Sequence, residues 1–181
     1  DVNLEMYDWF FSSDFLLLLL KKVPQQLKRL KKKSRERKLD KSEMDLQLAL
    51  YNCNHSMISE LAEKAEAAKR IVRTQDFYDV EKLERAVNVF REVTSTISLV
   101  YAPARICMPP METDLSYKVF ISSELLESVQ DTQVNVYRDV FEHILRPAIV
   151  AERPDVIGIS IVFQQQLFSS MTFCALIKEQ F

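Results

Sequence analysis

Only one glycine, Gly158, occurs in 181 residues. Average usage of ~7% would give roughly a dozen in a chain this long. Glycine enters left-handed backbone without steric cost, so few left-handed turns are available here. The same scarcity excludes loops in which several glycines let the backbone approach a phosphate. Neither a Walker loop nor a dinucleotide fingerprint is present, and nucleotides held in those ways are not expected.

Apolar residues make up 48% of the chain and charged residues 28%, the balance of a globular domain with a sizeable core. Cys53, Cys107 and Cys174 stand too far apart for a CxxC pair, a zinc ribbon or a disulfide framework. Each is expected to be a small structural thiol. No signal peptide is recognisable, which makes a cytoplasmic setting the expectation.

The formal charge of -2 conceals a block: residues 21–41 hold 11 Lys or Arg against Glu36 and Asp40. A net +9 there suits a solvated helix face or a loop. It lacks the interleaved aromatics of a nucleic-acid module, so no nucleic-acid partner is expected. The apolar run from Trp9 to Val23 is broken by Ser12, Ser13 and Asp14, and its leucines Leu16 to Leu20 are too few to span a membrane. It reads as a helix buried on most sides, started by Ser13 or Asp14.

From Ser42, taken as an N-cap, Met44, Leu48, Tyr51, Ile58, Leu61 and Ala65 recur at helical spacing. Gln75 and Asp76 break the pattern. A second helix from about Asp79 puts Val80, Leu83, Val87, Phe90 and Val93 on one face, so residues 42–95 read as a helical hairpin. Thr96 to Tyr101 is β-branched and aromatic and predicts a short strand; Pro109 and Pro110 mark a loop. Helices are expected over Ser122 to Val129 and Val134 to Val150, the latter kinked or ended by Pro147.

After Pro154, the residues Val156, Ile157, Ile159, Ile161 and Val162 predict a strand buried on both faces, as in a parallel sheet. Gly158 in its middle would admit close packing by a helix or ligand. Gln164 to Gln166 turn the chain into a helix carrying Phe168, Met171, Thr172, Ala175 and Leu176. Ligands of open α/β sheets lie beyond the carboxyl ends of the strands, where Ser160 and Gln164 would stand. Their hydroxyl and carboxamide can bond a ring nitrogen, a ribose or an amide; equally, such a serine can bond its own loop.

The run Pro154-Asp-Val-Ile-Gly-Ile-Ser-Ile-Val-Phe-Gln-Gln-Gln, with a helix ending at Ile177-Lys178, resembles the amino-terminal cobalamin-binding domain of B12-dependent radical SAM enzymes. The start, Asp1-Val-Asn-Leu-Glu-Met-Tyr-Asp, resembles the end of that domain's second strand. The resemblance covers roughly 40 residues at the two ends and only loosely the helical middle. It implies an α/β fold over residues 1–181, a partial Rossmann-like (flavodoxin-like) domain of large helical content. It places Ser160 and Val162 beside the nucleotide tail of cobalamin, with Gln164 and Gly158 adjoining.

By the same resemblance the function is that of the corrinoid-binding portion of a methyltransferase. S-adenosylmethionine and a [4Fe-4S] cluster would belong to a separate domain, and the remainder of the enzyme would be the chain's partner. The chain alone is expected to be inactive and to be a piece of something longer. His55 and His143 show no metal-ligand spacing, Glu124 and Glu127 read as a solvated face, and no metal ligand or catalytic residue is expected. Asp1, Glu5 and Asp8 could meet a cofactor amide. The alternative is a helix-rich protein-interaction module with a basic anion-binding segment and no enzymatic role.

Overall fold

The computed structural model of the chain describes residues 6, 8–106, 113–114, 117–118, 121–162 and 166–181. The described residues are nearly all helical: α1 (Ser13–Glu36), α2 (Lys41–Asn52), α3 (His55–Arg73), α4 (Val80–Val100), α5 (Ser122–Gln130), α6 (Val136–Val140), α7 (Arg146–Glu152) and α8 (Gln166–Gln180). Two-residue strands, β1 (Arg105–Ile106) and β2 (Thr113–Asp114), pair antiparallel. The expected α/β, Rossmann-like architecture is therefore corrected to an all-α one: the described residues contain no parallel sheet for helices to cover.

Helix α1 begins at Ser12, whose hydroxyl accepts the Phe15 N–H, one or two residues before the expected caps. It runs through Pro24, which cannot donate to the turn before it. Phe15, Leu16, Leu19, Val23 and Leu30, all buried, pack the helix into the core on both sides of that gap. Its second half is the basic segment, a solvated helix face ending at Glu36.

The expected long helix from Ser42 is two helices, because Cys53 and Asn54 end α2 and the Asn54 side chain caps α3 through the Met57 N–H. The cap of α2 is Asp40 rather than Ser42. Asp40 accepts the Glu43 N–H while Glu43 accepts the Asp40 N–H, a reciprocal capping box. Met44, Leu48 and Tyr51, expected inside, are exposed. Helices α3 and α4 form the expected hairpin, with Ile58, Leu61 and Ala65 buried against Phe90 and Val93.

Thr96 to Tyr101 is not a strand but the end of α4 and its cap. Val93, Ile97 and Val100 extend the buried stripe at helical spacing, and that burial overrides β propensity. The Thr94, Thr96 and Ser98 hydroxyls donate back to the carbonyls of Arg91, Glu92 and Thr94.

From Val136 to Glu152 the helical path is continuous but contains a wide π turn, Phe141–Leu145, one turn ahead of Pro147. Proline has no N–H for the carbonyl four residues back, and the looser turn absorbs the mismatch. At the end of α7, Arg153 takes the left-handed conformation, with φ 47°. Glycine would adopt it freely, whereas a side chain there costs about 1–2 kcal/mol.

The segment from Pro154 to Val162 has no regular secondary structure. Val156 is 84% exposed, Val162 69% and Ile159, among the least exposed, 37%. The expectation of a strand buried on both faces is overturned, for among the described residues no sheet pairs with this segment and none of its apolar side chains is buried. Helix α8 follows as expected, burying Phe168, Thr172 and Leu176. Asp1 to Glu5, Pro109, Pro110 and Gln164 lie outside the described residues.

Candidate functional site

Helix α7 with the turn before it, the segment after Pro154 and helix α8 line an open cavity of about 410 Å³. Gly158 and Ser160 line it on one side, and Gln166, Ser169, Ser170, Phe173 and Ile177 line it from α8. Leu145 and Ile149 close the remaining wall. Its volume lies within the range of small-molecule sites, and it combines an apolar wall with a few convergent hydroxyls.

The α8 contribution follows from helical geometry: positions 166, 169, 173 and 177 recur at three and four residues and so face one way. Phe173 is held edge-on against Tyr137, with ring centroids 6.1 Å apart. The Ser169 hydroxyl donates to the Gln166 carbonyl at 3.0 Å. No described residue bonds the Ser160 hydroxyl, which leaves it able to donate into the cavity.

Two of the four residues singled out in the sequence thus meet at one cavity. Val162 does not join them: its side chain is exposed, while its N–H donates to Gln166 Oε1 at 2.8 Å. Gln164 lies outside the described residues. At Gly158, a Cβ would meet nothing within 4 Å, and the backbone is not left-handed. The close packing expected there is absent, so glycine is not sterically required at this position.

The other candidates have ordinary structural partners. Asp8 pairs with Lys69 at 3.4 Å and with Arg73 on α3. Partial burial opposes its ionisation, but the two cations outweigh that effect and lower its pKa. His55 Nδ1 lies 3.2 Å from the Ser59 hydroxyl. His143 lies 2.9 Å from the Asp139 carbonyl and stacks on Trp9. Glu124 accepts the Lys118 N–H. Among the described residues no cluster of His, Cys, Asp or Glu could hold a metal ion, and no helix is long and apolar enough to cross a membrane. Cys53 is buried, which raises its pKa, and Cys174 is exposed; both are free thiols.

Sequence reasoning missed one partly buried cluster. The Tyr101 hydroxyl donates to Asp139 Oδ2 at 2.6 Å, and Lys22 Nζ meets the same oxygen at 2.8 Å. Lys22 also lies 5.0 Å from the Tyr101 ring centroid. The trio ties α1 and the end of α4 to α6. Its members are too far apart in sequence for any spacing to reveal them.

Comparison with known proteins returns no matching family model, no matching curated protein and no matching solved structure.

Proposed function

We propose that the chain is the cobalamin-binding portion of a B12-dependent radical SAM methyltransferase, and that the cavity beside Gly158 and Ser160 receives the nucleotide tail of the corrinoid. One observation supports this reading beyond the resemblance. Ser160, one of the two residues to which the resemblance gives that role, lines the cavity together with Gly158, with hydroxyl capacity left at Ser160 and an aromatic face at Phe173.

The residues present fit a heteroaromatic tail rather than a whole corrinoid. Ser160, Ser169 and Ser170 can bond ring nitrogens or ribose oxygens, while Phe173, Ile149 and Ile177 cover an apolar ring. No histidine lines the cavity. Carriage of a methyl group is the chemistry that bound cobalamin would supply. This chain's own residues would bind and orient the tail.

The test is retention of corrinoid absorbance through gel filtration after hydroxocobalamin is added to the protein with its native flanking sequence. Retention is expected. Ser160→Trp, filling the cavity from an exposed position, is expected to weaken binding by about 10-fold or more through overpacking. Equal retention by that variant would remove the cavity from the account, and no retention by the well-folded parent would remove the corrinoid.

A second reading, an interaction module without enzymatic role, is favoured by a different observation. Lys21, Lys28, Lys32 and Arg35 recur along α1 at spacings of seven, four and three, all exposed and none paired with a carboxylate among the described residues. A stripe of this kind suits an acidic protein surface. Lys28→Glu with Lys32→Glu would then abolish salt-sensitive binding to polyglutamate, and unchanged binding would end this reading.

A further inference from the structure

A second, larger cavity is lined by none of the residues discussed for the corrinoid. It measures about 790 Å³ and opens between α1, α2, α4 and the segment leading into β1. Its cationic lining is Arg29, Lys33, Arg91 and Arg105, against the carboxylates Glu43 and Asp45. Glu43 is already committed. It accepts from Lys33 at 3.1 Å and from both terminal nitrogens of Arg37, at 2.8 and 2.7 Å. The Arg37 guanidinium holds its pKa down at about 2, so Glu43 stays ionised and engaged.

The arginines are in a different condition. Arg29 donates one N–H to the Ala102 carbonyl at 3.0 Å, beside Gln26, which donates to the same oxygen at 2.7 Å. That bond fixes the guanidinium in place while most of its five N–H donors remain available. Arg91 reaches only the Asn88 carboxamide, at 3.2 Å. Arg105 stands across the strand pair from Asp114. No ion pair among the described residues joins any of the three to a carboxylate. Leu30, Leu46 and Leu99 add aliphatic surface to the same lining.

A held guanidinium at Arg29 and a second at Arg91, neither paired with a carboxylate among the described residues and both lining a groove with leucines, are complementary to one kind of small molecule. A planar fork binds carboxylate or phosphate oxygens in pairs, and leucine side chains cover a hydrocarbon chain. We infer that this groove binds a small amphipathic oxyanion, with Arg29 and Arg91 taking the head and Leu46 and Leu99 covering the aliphatic body. The inference is independent of the corrinoid reading, because the two cavities share no residue.

Calorimetric titration of the whole chain at low salt tests it, using octyl phosphate, decanoate, octanol and inorganic phosphate below micellar concentrations. At least one of the two amphipathic anions is expected to bind saturably at one per chain, at least about 10-fold tighter than octanol or inorganic phosphate. The stronger of the two identifies the head as phosphate or carboxylate. Arg91→Gln, at an exposed position, is expected to weaken that binding by about 10-fold, the scale of one charge-assisted hydrogen bond. The inference is overturned if neither anion binds saturably, if octanol binds as tightly, or if Arg91→Gln and Arg105→Gln both bind as the parent does.

Discussion

Replacing Phe15 with alanine is expected to destabilise the fold by about 3–5 kcal/mol, the usual cost of truncating a fully buried aromatic. Phe15 has no exposed surface and sits at the start of α1 between Trp9, at 4.5 Å centroid separation, and Phe10, at 5.1 Å. The lost energy combines the apolar contact itself, two tilted ring pairs and the hole left behind. Leu16 and Leu19 flank that hole, and both belong to the buried cluster shared with α3 and α4, so collapse to fill it would disturb the helix pair. In a urea titration the midpoint should fall with the slope unchanged, and the melting temperature should drop by roughly 10 °C for a chain of this length. A loss below about 1 kcal/mol would show that the aromatic cluster is not part of the core.

Asp139→Ala is expected to cost about 2–3 kcal/mol, because it strands two partners at once. Tyr101 is fully buried and would lose the acceptor of its hydroxyl; Lys22 would lose its counter-ion in a half-buried setting. Side-chain exposures of 22% for Lys22 and 16% for Asp139 place the pair between surface and interior, hence a figure below that of a fully buried ion pair. Asp139→Asn keeps an acceptor for Tyr101 and should cost less.

The same cluster predicts an alkaline limit. Burial, reinforced by the Asp139 carboxylate, raises the Tyr101 pKa well above its ordinary value near 10. The hydroxyl therefore ionises in the unfolded chain before it does in the folded one. Its contribution is complete below pH ~10 and is lost as pH rises from there toward the folded pKa. Tyr117, pushed up to about 12 mainly by desolvation, adds in the same direction. Tyr101→Phe should lower stability at pH 7 and flatten the decline above pH ~10, measured by urea unfolding across that range. An equal decline in the variant would assign the alkaline limit to other groups.

What the sequence made legible follows from which forces are local. The α3–α4 pair was readable because Ile58, Leu61, Ala65, Phe90 and Val93 carry its packing in a single helical period. The strand expected at Thr96 to Tyr101 failed because propensity was weighed without the stripe running on through Ile97 and Val100. Val156 to Val162 failed for another reason. Apolarity records what a segment gains from being covered, and no described strand pairs with this one to bury both of its faces.

At the cavity, Gly158 and Ser160 were found because they stand close together in the chain. Ser169, Phe173 and Ile177 were missed although their spacing placed them on one face with Gln166. The expected buried face of α8 was drawn through Phe168 and Thr172 instead, and those residues are indeed buried. The groove of Arg29 and Arg91 was unreadable, since it depends on α1 crossing α4 at a distance no sequence spacing encodes.

Residues 156–162, exposed in the structure, would border the proposed corrinoid site. Site-resolved hydrogen exchange of the protein with its native flanking sequence, with and without hydroxocobalamin, tests it most directly. Fast exchange of the Ile157 to Ile161 amides is expected in the free protein, with at least about 10-fold slowing when the corrinoid is added and little change in α3 and α4. Exchange in this segment that is the same with and without saturating hydroxocobalamin would contradict it.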